Sequence, residues 1–429
     1  MKTGKDLAKE FCDHVDKQSE GAESVVVGFE WYSDASLKAM AWKSRQKSKK
    51  KKRNDYVIEQ DTDLSKRCME DILGTTKTKK SVTTLLMNAL ETQLKERDVD
   101  YFIAGNGVIL SSQFENSTTN HTEGETAIVM GLCSLELLQK RVVVYGSDVD
   151  LFVLLLAHYQ NIGYREIYMK SLTGYTSITA VFNSLGSEVA SALLPFHALT
   201  GCDITGKFSG KTKEFWTKRF LAERTNMNFI QALLSLHECQ SDEVINEIAS
   251  FFCRSYCPKR TAKRITKTLS ETRYHLYKKY RSETSRLPPS PGAFLQHVKR
   301  SCVPLLIWHS SNLYETIAPI HTDLGWNDSE GVMMPICTED EIAPEDLVTL
   351  VSCSCNGACS NNHCTCKKNN VACTDFCGCG DSCMNSDMRP PDNLVGENDE
   401  DEEETHDDQD DEVETDMGES GEDEEEDIE

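Results

Sequence analysis

Nine cysteines stand within 31 residues of this chain: Cys353, Cys355, Cys359, Cys364, Cys366, Cys373, Cys377, Cys379 and Cys383. The stretch carries almost no other apolar side chain, so hydrophobic burial alone cannot organise it. An odd number of thiols arranged in Cys-x-Cys pairs does not suit a disulfide framework. Such a segment folds around metal.

A second constraint is Val142–Leu156, VVVYGSDVDLFVLLL. The valine run suits a strand buried on both faces of a parallel sheet. Gly146 and Ser147 interrupt it, and Asp148 and Asp150 follow before another apolar run. Carboxylates at the carboxyl end of such a strand sit where open α/β sheets bind ligands. The same residues also suit a helix cap at Ser147 or Asp148 ahead of a helix beginning near Asp150. Further acids flank the strand at Glu123 and Glu125 upstream and at Asp203 downstream.

Around this element the periodicities alternate. Val82, Leu86, Leu90 and Leu94 predict a helix over 81–96, Val99–Leu110 reads as a strand and turn bending at Gly105 and Gly107, and 126–138 reads as a second buried helix. Helix, strand, helix, strand is the rhythm of a parallel sheet. From 215 to 281 the pattern is helical and basic, with Tyr274, Tyr277 and Tyr280 spaced as a packing stripe.

Glu-x-Glu at 123–125, Asp-x-Asp at 148–150 behind a valine-rich strand, and Gly-x-Asp at 201–203 resemble the metal-binding half of the flap-endonuclease family, a branch of the PIN-like nucleases. Phe208–Lys213, FSGKTK, is similar to the glycine-lysine hairpin with which that family grips duplex phosphates. The cysteine spacing resembles a single Tesmin/TSO1-type CXC repeat. Closer still is a group of transposon-associated proteins that joins both parts in one chain.

The resemblance implies that Asp148, Asp150 and Asp203 hold a second Mg²⁺ or Mn²⁺, that Glu125 lies between two ions, and that Glu123 serves the first. Two such ions roughly 4 Å apart activate a water and stabilise the leaving oxygen of a phosphodiester. In the stretch where the family places a further aspartate, this chain has Phe29 or Glu30. The family's first aspartate has no equivalent either, so the PIN-like domain reads as N-terminally shortened, with catalysis weakened or lost. Lys211 and Lys213 correspond to phosphate contacts. In the CXC repeat about three Zn²⁺ share the nine thiolates, three of which bridge, leaving a charge of about −3 on the cluster. Lys367 and Lys368 offset part of that charge and meet phosphate, and His363 takes the place of a tyrosine that enters the DNA minor groove.

Charge is segregated along the chain. Of 70 acidic residues, 22 fall in Glu397–Glu429 without a single Lys or Arg, so the net charge of −24 becomes −2 for residues 1–396. A run of that kind reads as a disordered acidic tail. Lys43–Arg53 carries eight basic residues in eleven, which suits nuclear import or a phosphate-contacting arm. The start has no apolar core of signal-peptide length, and the longest apolar run, Leu151–Ala157, is too short for a bilayer.

The expected organisation is therefore an α/β PIN-like parallel sheet flanked by helices over 1–235, with the basic loop at 43–53. A helical extension follows over 236–349, then a zinc CXC module over 350–386 and a disordered acidic tail over 387–429. The expected function is nuclear zinc and DNA binding by a transposon-derived, nuclease-like protein. An active Mg²⁺-dependent structure-specific DNA nuclease and a chromatin adaptor binding basic proteins through its tail stand as alternatives.

Overall fold

The computed structural model describes residues 2–31, 54–135, 141–163, 166–238, 240–257, 268–280, 286–329, 332–340, 352–369, 371–374, 377–379 and 383–385. The basic run at 43–53 and the acidic tail at 387–429 lie outside the described residues. Packing divides the chain into two units, 1–340 and 341–429. The fold is mixed α/β with small mixed sheets, and at about 49% helix it is helices that supply most of the core.

In the first unit, helix α1 (Gly4–Gln18) precedes strand β1 (Ser24–Gly28). Strand β1 pairs in parallel with β2 (Asp100–Gly105), Val25 opposite Tyr101 and Val27 opposite Ile103. Helix α2 (Thr76–Glu96) makes the crossover and buries Val82, Leu90 and Leu94 of the expected stripe, whereas Leu86 is half-buried and Leu85 and Met87 are buried instead. Strand β2 then folds back on β3 (Val108–Ser111) through Asn106-Gly107, which adopt φ of 51° and 78°. Two successive left-handed residues are what a tight hairpin demands, and Asn-Gly meets that at least steric cost. The two-residue β4 (Ser117–Thr118) completes the sheet.

Helix α3 (Gly124–Ser134) lies against this sheet at very short range. A Cβ built on Gly131 would stand 2.6 Å from both Phe102 and Val26, so glycine permits the approach. The second sheet joins β5 (Arg141–Tyr145) in parallel to β6 (Glu166–Ser171), which turns into antiparallel β7 (Gly174–Ser177). Helix α4 (Val149–Ala157) leads the β5–β6 crossover.

Among the described residues parallel crossovers are thus present twice, but one continuous parallel sheet is not. The links after β2 and β6 are only two residues long, Asn106-Gly107 and Leu172-Thr173. A parallel return needs a dozen or more residues, so each chain end folds back antiparallel.

Helices α5 (Ile178–Leu185), α6 (Ser187–Leu199), α7 (Lys213–Ala222), α8 (Met227–Ser235), α9 (Asp242–Tyr256), α10 (Leu269–Tyr280) and α11 (Pro291–His309) build the rest of the unit. Helix α6 is the hub, packed against α4, α8 and α11. Leu154, Phe196 and Phe220 share one apolar cluster with Phe252, Phe294 and Trp308, so the α/β part and the helices beyond 235 have a common core. Its centre is aromatic: Phe229 stacks on Phe251 with centroids 4.3 Å apart, and Phe208 meets Phe252 at 4.5 Å.

Two local expectations change. On α10 the buried face is Leu269, Thr272 and Leu276, while Tyr274 and Tyr277 are 61% and 52% exposed. Residues three apart advance 300° around a helix, so the tyrosines rotate away from the face that Leu269 and Leu276, seven apart, occupy. In the segment after α11, expected to be helical, strands β8 (Trp326–Ser329) and β9 (Val332–Pro335) form a hairpin.

The shared core has a measurable consequence. Phe251→Ala removes a ring that touches Phe196, Phe229, Trp216 and Phe252. Urea unfolding followed by tryptophan fluorescence is expected to lose about 3–5 kcal/mol of stability in one transition. A loss below about 1 kcal/mol, or two separate transitions for the first unit, would contradict a common core.

Candidate metal centre and the flanking acids

In the second unit, the described residues form one short helical turn, α12 (Thr365–Lys368), and otherwise irregular backbone. Its core is sulfur: Cys353, Cys359, Cys364, Cys366, Cys373, Cys377, Cys379 and Cys383 are buried together, with Cys355 packed at the edge. Separations of 3.9 Å (Cys353–Cys359 and Cys353–Cys373), 3.7 Å (Cys364–Cys373) and 3.6 Å (Cys366–Cys377) recur among their Sγ atoms. A zinc ion with four thiolates at ~2.3 Å defines a tetrahedron whose edges are about 3.8 Å. The observed spacings match that edge.

Four quartets of Sγ atoms lie within 4.8 Å of one another: 353/364/366/373, 353/373/377/379, 353/355/359/364 and 359/373/379/383. Together they use all nine cysteines, and Cys353 and Cys373 each belong to three quartets. Overlap of this kind is what shared, bridging thiolates require. The cluster can hold zinc.

Backbone and amide N–H groups point at the sulfurs, as they do around metal-bound thiolates. The amides of Cys353 and Thr374 donate to Cys377 Sγ, both at 3.4 Å, and the Asn385 side chain donates to Cys373 Sγ at 3.3 Å. A hydrogen bond from the backbone of Lys367 pulls the Cys364 thiol down to about 6. Asn385 also accepts from the Cys373 amide at 2.7 Å, which closes the last loop of the cluster. Nothing in the cysteine spacing marked that asparagine. His363, Lys367 and Lys368 are exposed on the same unit. The Lys367 ammonium donates to the Ser360 carbonyl at 2.7 Å.

The carboxylates of the first unit take up partners within the protein. Asp148 is the N-cap of α4 and accepts the Asp150 amide at 2.9 Å. Asp150 Oδ1 lies 2.7 Å from Nε2 of buried His197 on α6. Glu123, at the start of α3 and only 7% exposed, accepts the indole N–H of Trp308 at 2.9 Å. Glu125 sits half-buried in the first turn of α3, and Asp203 is exposed in the turn after α6. Among the described residues, only cysteines form a group of three or more ligand atoms within 4.8 Å.

His197 and Trp308 escaped the sequence reading. Both stand in apolar helical stretches, where a lone His or Trp reads as core, and their partners are 47 and 185 residues away.

The two lysines differ. Lys213 Nζ donates to the carbonyls of His197 and Gly201 at 2.8 Å and to Thr200 Oγ1 at 2.9 Å, satisfying the carboxyl end of α6. Lys211 is half-buried, with its ammonium 4.4 Å from the Phe215 ring centroid. Burial first, then the charges of Arg219 and Arg286, lower its basicity. It stands one residue before Thr212, the N-cap of α7.

Lys213→Met would strip three oxygens of their donor, a loss of about 2–4 kcal/mol by urea unfolding, given roughly 1–3 for each buried unpaired acceptor. Burial pushes the Lys213 ammonium down to about 8. An unfolded lysine titrates near ~10.4, so between these values the unfolded chain binds the extra proton and stability gains with rising pH. The advantage of wild type over Lys213→Met is expected to widen from about pH 8 to pH 10. An advantage that shrinks over that window would contradict a Lys213 basicity lowered by burial.

Compared with protein-family models, with curated proteins and with solved structures, the chain has no match.

Proposed function

We propose that the chain is a nuclear zinc- and DNA-binding protein derived from a transposon-associated, nuclease-like family, with its catalysis weakened or lost. The observation that carries this reading is the sulfur core of the second unit, whose overlapping quartets have the edge length of zinc–thiolate tetrahedra. Read as a CXC module, it holds about three Zn²⁺ on nine thiolates, with Cys353 and Cys373 as the strongest bridging candidates. The exposed Lys368 and His363 then face DNA phosphate and groove.

In the first unit, the two parallel crossovers with acids after β5 favour the PIN-like reading. Lys211, Arg219 and Arg286 gather positive charge beside the N-terminus of α7, an arrangement suited to a DNA phosphate. Loss of catalysis is supported by the employment of Glu123, Asp148 and Asp150 as partners of Trp308, the Asp150 amide and His197. Nuclear residence rests on the basic run at 43–53.

Metal analysis of the purified full-length protein is expected to find about three zinc ions per chain, removable only by a strong chelator because structural zinc contributes roughly 10–16 kcal/mol. Cys373→Ser is expected to lower the zinc content, whereas Cys68→Ser, at an exposed cysteine of the first unit, leaves it unchanged. A zinc-free protein, or equal content in both variants, would overturn the metal reading.

Duplex DNA binding is tested separately. Lys211→Ala is expected to reduce the slope of log affinity against log salt by about one, with thermal stability unchanged. An unaltered slope would remove Lys211 from the DNA contact.

A further inference from the structure

The sheet β5–β6–β7 has one face on the core and one turned outward. Val144, Ile167 and Met169 point inward and are buried with Leu151, Leu155 and Phe182. The alternate residues point the other way: Arg141, Val143 and Tyr145 on β5, Glu166, Tyr168 and Lys170 on β6, and Tyr175 and Ser177 on β7. This face carries three aromatic rings, two cations and one carboxylate, Glu166, which accepts from Arg141 Nε at 2.9 Å.

Their registration is specific. Tyr145 stands opposite Lys170, and Lys170 opposite Tyr175, so the three form a row across the sheet. The Lys170 ammonium lies 4.9 Å from the Tyr145 ring centroid and 5.2 Å from that of Tyr175. Two residues along, the Arg141 guanidinium is 5.9 Å from the Tyr168 ring. Despite these contacts two of the rings remain open to solvent, Tyr145 at 43% and Tyr175 at 62% exposed, with Val143 of β5 at 38% and Tyr168 half-buried. Leu172, in the β6–β7 turn, is fully exposed.

We propose that this outward sheet face, with the Tyr145–Lys170–Tyr175 row and the Arg141–Tyr168 pair, binds single-stranded DNA by stacking bases on the tyrosines. Every base has a π-face, so flat rings on a rigid sheet accept a single strand of any sequence. Lys170 stands between Tyr145 and Tyr175, where it meets the phosphates that link stacked bases, while Arg141, ion-paired to Glu166, borders the face. A protein strand or an apolar helix would instead be met by aliphatic side chains, and of these the face holds only Val143. Duplex DNA keeps its bases stacked on one another and cannot use the platform.

The choice of DNA as the polymer rests on the function proposed above, while the stacking site itself does not depend on zinc. The test therefore uses the zinc-loaded full-length protein and measures affinity for oligothymidylate, oligouridylate and a duplex by fluorescence anisotropy. Tyr175→Ala and Tyr145→Ala are each expected to weaken oligothymidylate binding about 10-fold, from a stacking contribution of roughly 1–3 kcal/mol per base, and to leave duplex binding unchanged. Tyr175→Phe keeps the ring and is expected to bind as wild type. Should Tyr145→Ala impair folding through its hydroxyl contact with the Gln18 carbonyl, Tyr175→Ala, on the exposed outer strand, decides alone. Unchanged oligothymidylate affinity in Tyr175→Ala would overturn the platform, as would an equal loss on the duplex. Tighter binding of oligouridylate than of oligothymidylate would overturn the assignment to DNA. Loss of duplex binding on zinc removal with oligothymidylate binding retained would separate this face from the zinc module.

Discussion

Nine thiols gathered in overlapping quartets, with the closest sulfurs 3.6–3.9 Å apart, are the constraint on which the second unit depends. Among the described residues the core of the unit is cysteine alone, with no aliphatic or aromatic side chain packed into it. As thiolates the same groups repel one another, and only a cation shared among them turns repulsion into cohesion. On the proposed zinc reading the irregular backbone of the described residues follows from this, because ligand positions and N–H groups aimed at sulfur would shape it. Cys359 even adopts a φ of 46°, a conformation that ligand geometry can impose on a residue other than glycine.

The first unit is organised by the opposite economy, with polar groups serving an apolar core. Helix α6 is buried along nearly its whole length, and its carboxyl end is satisfied by side chains from elsewhere: Asp150 meets His197, and Lys213 collects the last oxygens. Trp308 ties Glu123 of α3 to α11 and lies 5.8 Å, centroid to centroid, from the His197 ring. Acids at the carboxyl ends of strands thus join helices together. A carboxylate committed to an indole or an imidazole is poorly placed to exchange that partner for a cation, which connects this packing to the proposed loss of catalysis.

Much of this was legible in the sequence where the signal is local. The cysteine spacing marked every sulfur of the cluster, the bend at Gly105 and Gly107 marked the turn after β2, and the apolar stripe of 81–96 marked α2. Asp148 could be read both as a strand-end ligand and as a helix cap, and the cap geometry is present. What escaped is long-range. No spacing links Asp150 to His197 or Glu123 to Trp308, because those pairs exist only after α6 and α11 dock on α4 and α3. The exposure of Tyr274 and Tyr277 was hidden for the same reason: the buried face of α10 is chosen by the helices it meets. The split into two mixed sheets follows from two-residue turns after β2 and β6, which the βαβ rhythm alone did not reveal.

X-ray absorption at the zinc edge of the full-length protein tests the central claim most directly. The account requires an all-sulfur first shell at about 2.3 Å and a second-shell zinc–zinc vector, because bridging thiolates bring neighbouring ions together. A shell containing nitrogen or oxygen, or isolated zinc without a metal–metal vector, would contradict it.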